Sequence, residues 1–584
     1  MDNKALETST PLSQQTGRRL YGVPLGLVMM ALMLTVLLEA LDQTVVGTAL
    51  PKIIGTLQGF DRYTWAVTAY TLASTTLIPI VSKLSDQFGR KWFLLIGTAI
   101  FLLGSMLTGA SATMTQFIAF RALQGVGAGM GIALVAASIG DIFPPAERAK
   151  WQGLFSAVYG VSNLIGPTLG GYLADHGPLL GSLVLDSTRW RWVFYINLPI
   201  GIAALIVLFS YLPGDISERT SRFEGWASIR RIDFLGAALI SGGTVCLLLG
   251  LTWGSNQIYD WNSPQVIGIL VGAGVLYTLF FTVERFVAEP ILPLDLFRNQ
   301  TFAVAGLLSM LPLMVLVGLI IYLPLFLQGV LGISATYSGA VITPMSVASV
   351  IGASVAGILM QRLKRFQAIS IVGAIVMSIG VFFMTRMTAT TGLLEATIFM
   401  VAAGLGLGTF FSVAALAAQN SVPRSRLGVG TGVTRLMGQF GSVLGVALVG
   451  TVVNNSLSSE LAPRLAKIPG VGFIPPAVLK LATNPQVLVS SDQRNALLHG
   501  VAQNTPPQFQ ASAIQTLNHV FDAVKQSLAV SVVQGFVVVL FICGAVFLCT
   551  LFFKDVPLQA AQAAPAGEAS DAPDQPPEAA PVRL

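Results

Sequence analysis

Two carboxylates lie inside a long apolar segment near the N-terminus. The segment PLGLVMMALMLTVLLEALDQTVVGTAL contains Glu39 and Asp42. An ionised carboxylate in hydrocarbon is unfavourable by roughly 3 kcal/mol or more, so acids in such segments usually have a function. The two residues are three apart and share one face of a helix. Two close carboxylates in a low dielectric do not easily both ionise, so we expect at least one to bind and release a proton. Neutralising a buried acid removes a desolvated charge, so we expect Asp42→Asn to leave the protein folded.

An arginine in another apolar segment is a candidate partner for these acids. Arg121 lies within FIAFRALQGVGAGMGIAL. It either extends its side chain to the membrane surface or faces inward and pairs with an acid, and only the first apolar segment has acids well inside it. The sequence leaves three interpretations of Glu39 open. It is a second proton carrier, a counter-charge for the substrate, or a structural hydrogen-bonding group.

The elements that must position these residues are membrane helices. The chain of 584 residues is 54% hydrophobic and only 10% charged, whereas soluble domains carry about 25% charged residues. The mean hydropathy is +0.74. Apolar runs of about 20 residues, enough to cross a bilayer, recur along the chain. We predict an all-α polytopic membrane protein with fourteen transmembrane helices. Their approximate positions are 24–48, 64–83, 93–110, 114–138, 151–173, 192–212, 232–253, 266–286, 301–327, 336–360, 367–386, 393–418, 430–453 and 527–553.

The basic residues indicate how the chain is oriented. Most of the 33 Lys and Arg residues fall on alternate segments between the predicted helices, beginning with the N-terminal one. Because positively charged loops stay in the cytoplasm, we expect both termini to be cytoplasmic. The basic residues of the cytoplasmic segments account for the net charge of +6. We therefore expect a lipid bilayer around the protein and no nucleic-acid partner.

The remaining reactive residue types form no catalytic arrangement in the sequence. The three cysteines lie in apolar spans without metal-ligand spacing, and the three histidines are far apart in outer segments. A nucleotide-binding loop of the Gly-x-x-x-x-Gly-Lys-Ser/Thr type is absent from the sequence. We therefore expect neither an enzyme nor an ATP-driven pump, and no cofactor.

The two halves of the sequence can be overlaid with a shift of about 272 residues. The matched pairs are Gly160 with Gly432, Arg90 with Arg362, and Pro51, which we expect to close the first span, with Pro324. We predict two parallel six-helix bundles, 1–212 and 301–553, joined by a linker with two further spans at 213–300. Within the second bundle, 454–526 is expected to be a long outer loop with short amphipathic helices. Residues 554–584 are expected to be a disordered cytoplasmic tail.

The stretch SKLSDQFGRKWFLL lies between the second and third spans. Its notable residues are Asp86, Gly89, Arg90 and Lys91. By itself it is an ordinary basic inner loop. It resembles the signature loop of the major facilitator superfamily, in which Gly, Leu, Asp, Gly and two basic residues recur at fixed spacing, although Ser82 and Gln87 depart from that pattern. Asp86 near a helix N-terminus favours the arrangement that brings this terminus close, and such a contact can form in one state of a transport cycle and break in the other. Asp141, at the inner end of the fourth span, is the expected partner of Arg90.

The stretch GVSNLIGPTLGGYL lies in the fifth span. Its glycines permit close packing of a neighbouring helix and its proline bends the helix, so a packing seam without any coupling function is one interpretation. The Gly-Pro-x-x-Gly-Gly core resembles the motif that marks antiporters in the same superfamily. The residues concerned are Gly160, Gly166, Pro167, Gly170 and Gly171.

Further motifs resemble one branch of that superfamily. With WRWVFYINLPIG from Trp190 and LDQTVVGTALP from Leu41, the chain is similar to the fourteen-span drug:proton antiporters, which include bacterial quaternary-ammonium and multidrug exporters. The resemblance places Asp42 where this family has its acid. It also matches RALQGVG, from Arg121, to a fourth-helix motif associated with proton transfer.

These features favour a monomeric, proton-driven antiporter in a bacterial cytoplasmic membrane, which exports small amphipathic compounds, antibiotics among them. An exporter or flippase of an endogenous lipid or lipopeptide is the alternative. Proton-coupled uptake is disfavoured by the Gly-Pro motif, and a membrane transferase would need catalytic residues in its loops. The candidates for the substrate cavity are polar residues in or near the spans: Gln43, Tyr70, Gln124, Tyr159, Asn163, Tyr322, Arg435 and Gln439.

Overall fold

A computed structural model gives the fold of most of the chain. It describes residues 25–143, 145–179, 181, 184–212, 233–255, 259–287, 292, 294–363, 365–422 and 427–553. The tail at 554–584 and the linker residues 213–232 lie outside the described residues. Helices make up nearly all of the described part, in agreement with the predicted all-α class.

The helices fall into two sets of six, with two helices between them. The first set is α1 (Leu25–Leu57), α2 (Trp65–Phe88), α3 (Arg90–Ala110), α4 (Met114–Ile142), α5 (Pro145–His176) and, after the short α6 (Trp192–Tyr195), α7 (Asn197–Tyr211). The intervening helices are α8 (Phe234–Ser255) and α9 (Pro264–Val283). The second set is α10 (Gln300–Leu325), α11 (Ala335–Leu363), α12 (Phe366–Met384), α13 (Leu393–Asn420), α14 (Leu427–Leu465) and α18 (Pro507–Leu551). Three shorter helices lie between α14 and α18: α15 (Pro476–Ala482), α16 (Gln486–Val489) and α17 (Ser491–Asn504).

Ten helices in the described part of the chain are long and apolar enough to cross a membrane. The other four predicted spans fall on α2, α4, α5 and α8, which are also helical. The count of fourteen transmembrane helices stays a prediction.

Several helices end later, or begin earlier, than the sequence analysis expected. Pro51 does not close the first helix, because α1 continues through it to Leu57. Membrane helices tolerate a proline when neighbouring helices hold them, and Pro51 is buried. Within the outer loop expected to hold short amphipathic helices, residues 514–524 are not a separate helix. They belong to the first part of α18, which starts at Pro507 and contains no further proline before Leu551.

Two of the three pairs in the sequence repeat occupy matching places in the two sets, whereas Arg90 begins a third helix and Arg362 lies at the end of a second. Pro51 and Pro324 lie inside the first helix of their sets, and Gly160 and Gly432 lie on the fifth. The fourth helices also correspond. In each of them, two glycines four residues apart face the second helix, and the glycine between them faces the third. The contacts are Gly125 with Tyr70, Gly129 with Ser74 and Gly127 with Phe101 in the first set, and Gly404 with Met345, Gly408 with Ser349 and Gly406 with Met377 in the second.

The segment between α14 and α18 has a small core of its own, and we call it the outer subdomain (residues 466–506). Its apolar side chains pack on the first turns of α18. The buried members of this core are Ala482, Val487, Leu517, Val520, Phe521 and Val524. Because α14 and α18 run on beyond the predicted spans, the outer subdomain is continuous with the second set.

Candidate functional site: a buried ion pair beside a cavity

Asp42 on α1 and Arg121 on α4 form an ion pair in the interior. Nη1 of Arg121 donates to Oδ2 of Asp42 at 2.5 Å, and each residue is only 1% exposed. Gln124, on the next turn of α4, donates from Nε2 to Oδ1 of Asp42 at 2.8 Å and accepts from Nη1 of Arg121 at 2.8 Å. Both oxygens of Asp42 therefore accept a hydrogen bond from α4.

The guanidinium of Arg121 also contacts α2. Its Cζ lies 4.2 Å from the centre of the Tyr70 ring, and its Nε is 3.4 Å from the carbonyl oxygen of Ala66. A cation over an aromatic face contributes about 2 kcal/mol when it is desolvated. Arg121 thus points inward rather than to the membrane surface. We call Asp42, Arg121, Gln124 and Tyr70 the ion-pair cluster.

The glycines of α4 explain how three helices come together at this cluster. A Cβ on Gly125 or Gly129 would collide with the backbone carbonyl of Tyr70 or Ser74 on α2. Without side chains at these positions, α4 packs directly against the α2 backbone. That close approach brings the ring of Tyr70 over Arg121.

Glu39 is buried on α1, on the same face as Asp42. Its Oε1 lies where a side chain at position 131 would begin, so Gly131 leaves room for the carboxylate. Gly131 is roughly three turns along α4 from Arg121. Of the two acids of α1, Asp42 is the one that meets Arg121.

The glycines of the Gly-Pro-x-x-Gly-Gly motif bring α5 against α1. A Cβ on Gly166 would collide with the side chain of Thr44, and one on Gly170 with the carbonyl of Val45. Gly160 lies in looser surroundings, with the nearest side-chain atom on α11 3.7 Å from an added Cβ. The middle of the motif therefore determines how closely α5 packs within the first set.

The same motif also joins the two sets of helices. A Cβ on Gly171 would meet the carbonyl of Ala335 at the start of α11, and a Cβ on Gly339 would meet the carbonyl of Pro167. The helices α5 and α11 are thus in backbone-to-backbone contact, and a change of packing at this seam moves one set against the other.

The loop between α2 and α3 makes its turn at Gly89, whose φ of 90° favours glycine. Arg90 is buried. Nζ of Lys91 donates to the carbonyl oxygen of Phe209 at the end of α7, at 2.8 Å. Two side chains expected to act here lie outside the described residues: Asp86 and Asp141.

A cavity lies between the two sets. It is narrow, with about 20 Å³ of space that a water-sized sphere can enter, and its walls are apolar except for hydroxyl groups and one amide. The helices α1 and α5 contribute one wall, and α10, α11 and α13 contribute the other. The lining residues are Thr44, Thr48, Asn163, Pro167, Leu316, Ile320, Ile342, Met345, Ser346, Ser349 and Phe411.

Among the eight sequence-based candidates for this cavity, Asn163 lines it. Tyr70 and Gln124 belong to the ion-pair cluster instead, because they face the junction of α1, α2 and α4. Tyr322 is buried against Tyr63, with ring centres 5.7 Å apart. Polar character within a span does not reveal which face of a helix a residue occupies, so a substrate contact of these three residues stays a prediction.

Three further candidates are not among the described residues that line the cavity: Gln43, Arg435 and Gln439. Gln43 is exposed on a different face of α1 from Asp42. The side chain of Tyr159 lies outside the described residues.

The sequence analysis missed the hydroxyl groups of the cavity. Thr44 and Thr48 are four apart on α1, and Ser346 and Ser349 are three apart on α11. Such spacing puts each pair on one face of its helix. Hydroxyl pairs at helical spacing, in a span that also contains other candidate residues, could have identified this part of the cavity from the sequence.

Comparison with known proteins agrees with this architecture. The multidrug transporter protein MdtP of Bacillus subtilis is 36% identical over 547 residues, which are 92% of this chain and 94% of that protein. Multidrug resistance protein 3 of the same organism is 37% identical over 444 residues, 76% of this chain and 82% of that protein.

Solved transporters share the fold. A bacterial homologue of the human lysosomal transporter Spinster, in an inward-facing and occupied conformation, matches with a TM-score of 0.58 and 16% identity over 89% of this chain and 96% of that one. A D-xylose–proton symporter matches with a TM-score of 0.53 and 14% identity over 74% and 91%. The profile of the Major Facilitator Superfamily matches residues 32–446. The chain is therefore a member of the Major Facilitator Superfamily, a family of multi-pass membrane transporters rather than enzymes.

Proposed function

We propose that this protein is a proton-coupled antiporter that exports amphipathic compounds, drugs among them, by alternating access. It works as a monomer in a bacterial cytoplasmic membrane, and the proton gradient drives it without a bound cofactor. The observation that carries the proposal is the buried ion pair between Asp42 and Arg121. It involves helix α1, which also lines the cavity between the two sets. The names of the Bacillus relatives, a multidrug transporter and a multidrug resistance protein, support drug-like cargo.

The ion-pair cluster has the chemistry of a proton switch. A proton that binds Asp42 weakens the hydrogen bonds from Arg121 and Gln124, because a neutral carboxyl group is a poorer acceptor than a carboxylate. Protonation also removes the charge that attracts the guanidinium. The link between α1 and α4 is therefore strong when Asp42 is ionised and weak when it is protonated.

Helix α1 connects this switch to the cavity. Asp42 and Thr44 are two residues apart and point to different sides of the helix. Asp42 faces α4, whereas Thr44 faces α5 and the cavity, and Thr44 Oγ1 lies 3.3 Å from the carbonyl oxygen of Ser162. A change in the packing of α1 on α4 consequently alters the cavity wall.

The cavity suits an amphipathic substrate. Its described walls contain no ionised side chain, so a substrate gains affinity mainly by apolar burial and by hydrogen bonds to hydroxyls and to Asn163. Inward movement of one charge through a potential of about 150 mV releases about 3.5 kcal/mol. That energy is enough to sustain a concentration ratio of a few hundredfold.

Proton release in liposomes tests the proposal. Substrate added to liposomes that hold wild-type protein and an internal acid load should release protons, and Asp42→Asn should abolish the release. Asp186→Asn is the matched control, since Asp186 is an exposed carboxylate of the same set. Unchanged proton release from Asp42→Asn would contradict the proposal, and so would equal loss from both variants.

A further inference from the structure

A carboxylate at the end of α5 binds the start of α11 across the boundary between the two sets. Asp175 Oδ2 accepts a hydrogen bond from the backbone nitrogen of Thr336 at 2.7 Å and another from its Oγ1 at 2.7 Å. Its Oδ1 accepts from Nζ of Lys52 on α1 at 3.0 Å. Asp175 therefore ties two helices of the first set to one of the second.

The geometry makes this a strong contact. Thr336 lies in the first turn of α11, where backbone N–H groups have no partner within the helix and an anion is favoured by the helix dipole. The side chain of Asp175 is only 14% exposed, which limits screening by water. A second contact lies about two helical turns away from Asp175 and Thr336 on the same two helices. There the hydroxyls of Thr168 and Thr343 are 2.6 Å apart.

The contact lies at one end of the molecule. Asp175 follows the predicted span 151–173, at the end of α5 predicted to face outward. The loop that contains Gly89 lies at the opposite end of the first set. Hydrogen bonds of 2.7 Å do not survive a separation of the helix ends by several ångströms, so this contact exists only while the outer side is closed.

We propose that Lys52, Asp175 and Thr336 form an outer latch that holds the transporter closed to the outside and breaks whenever the cavity opens outward. Asp175 acts as a positioning residue: it touches no substrate, and it sets the balance between the two states. This inference rests on the alternating access of the proposed function.

The carboxylate of Asp175 does not titrate over moderate changes of outside pH. Burial raises the pKa of Asp175, but the hydrogen bonds from Thr336 and the charge of Lys52 outweigh burial and hold that pKa below its usual range. A carboxyl whose pKa is lowered in the closed state stabilises that state above its free value of about 3.9 and loses the effect as the pH falls through the closed-state pKa. Between pH 8 and about 5.5 Asp175 therefore stays ionised in the closed state. The other charged or titratable groups near it are Lys52, Tyr172, His176, Asp186, Arg189 and Tyr337.

Distances between spin labels on the outer side test the latch. Labels at Ser187 in the first set and Thr390 in the second occupy exposed positions, in a background where Cys246, Cys543 and Cys549 are replaced. We expect a short distance in the wild type at pH 8. Asp175→Asn and Thr336→Val should each lower the closed-to-open ratio, by about tenfold for Asp175→Asn because a hydrogen bond to a charged group is lost. Thr336→Ser keeps the hydroxyl and should restore the wild-type distribution.

Two control variants separate the latch from general effects. Asp186→Asn removes an exposed carboxylate that pairs with Arg189 within the first set and should leave the distances unchanged. His176→Gln should also leave the distances unchanged at pH 8, because Asp175 keeps its hydrogen bonds to Thr336. Wild-type distances in Asp175→Asn would overturn the latch, as would an equal change in Asp186→Asn. The labels report closure whether or not transport uses protons, so the proton-release assay can fail while the latch stands, and the reverse.

Discussion

At the scale of single residues, the pairing of Asp42 with Arg121 changes what a substitution should do. Removing one partner of a buried ion pair destabilises a protein by about 3–5 kcal/mol, because it leaves an uncompensated charge. The sequence alone suggested that neutralising Asp42 would leave stability intact. With Arg121 only 2.5 Å away, that expectation no longer holds.

We therefore predict that Asp42→Asn lowers thermal stability, by roughly 3 kcal/mol, and that adding Arg121→Gln to it recovers much of the loss. The double variant no longer buries an unpaired cation, yet both variants should lack proton coupling. Thermal unfolding in detergent, together with proton release in liposomes, measures the two effects. A single variant as stable as the wild type would show that Arg121 is neutralised by another group.

A second residue-scale prediction concerns the ring beneath the guanidinium. Tyr70→Phe retains the aromatic face 4.2 Å from Arg121 and should keep coupling. Tyr70→Leu loses that face and should weaken coupling, with a loss of stability of about 1–2 kcal/mol. Comparison of the proton:substrate ratio in the two variants gives the answer. Equal behaviour of Phe and Leu would mean that Tyr70 serves only to fill space.

At the scale of the elements, α5 faces two different neighbours within one motif. Gly170 lies against α1 of its own set, whereas the adjacent Gly171 lies against α11 of the other set. The first contact lies within one set and persists if each set moves as a rigid body. The second is a contact between bodies that must move relative to each other if access alternates.

Alanine at these two neighbouring glycines should consequently act differently. Gly170→Ala forces α5 away from α1 and should lower thermal stability without favouring either state. Gly171→Ala pushes α5 from α11 and should move the spin-label distances at Ser187 and Thr390 toward the outward-open value. Gly272→Ala on α9, where an added Cβ meets nothing within 4 Å, is the control and should be neutral. Identical effects of Gly170→Ala and Gly171→Ala would reduce the motif to an ordinary packing seam.

At the scale of the whole molecule, the outer subdomain spans the boundary between the two sets. It is continuous with α14 and α18 of the second set, yet Nε2 of Gln493 donates to the carbonyl oxygen of Gly55 on α1 at 2.8 Å. A Cβ added to Gly55 would lie 3.5 Å from Cβ of Ser490. That separation is compatible with a disulfide.

We predict that Gly55→Cys with Ser490→Cys, in the background free of Cys246, Cys543 and Cys549, cross-links under oxidation and stops transport. The bond would tie α1 to the outer subdomain and so hold the outer side closed. Reduction should restore transport, and each single variant should transport under both conditions. Efficient cross-linking with undiminished transport would show that the outer subdomain moves with the first set.

The class of the molecule could be predicted without the structure, because apolar length, charge and the repeat are properties of the sequence. The unfavourable burial of charge singled out Glu39, Asp42 and Arg121, since an ion in hydrocarbon is unfavourable wherever its partner lies. The glycines of the fifth span indicated a close helix contact for the same local reason.

Which groups meet depends on the tertiary fold. The fold pairs Arg121 with Asp42 rather than Glu39, and it joins Asp175 to Thr336 across 161 residues of sequence. Among the candidates whose side chains the structure describes, Asn163 is the one that lines the cavity. Each outcome depends on the rotation and approach of helices that are distant in the chain. Helical periodicity says which residues share a face, but the packing of backbone on glycine decides what that face contacts.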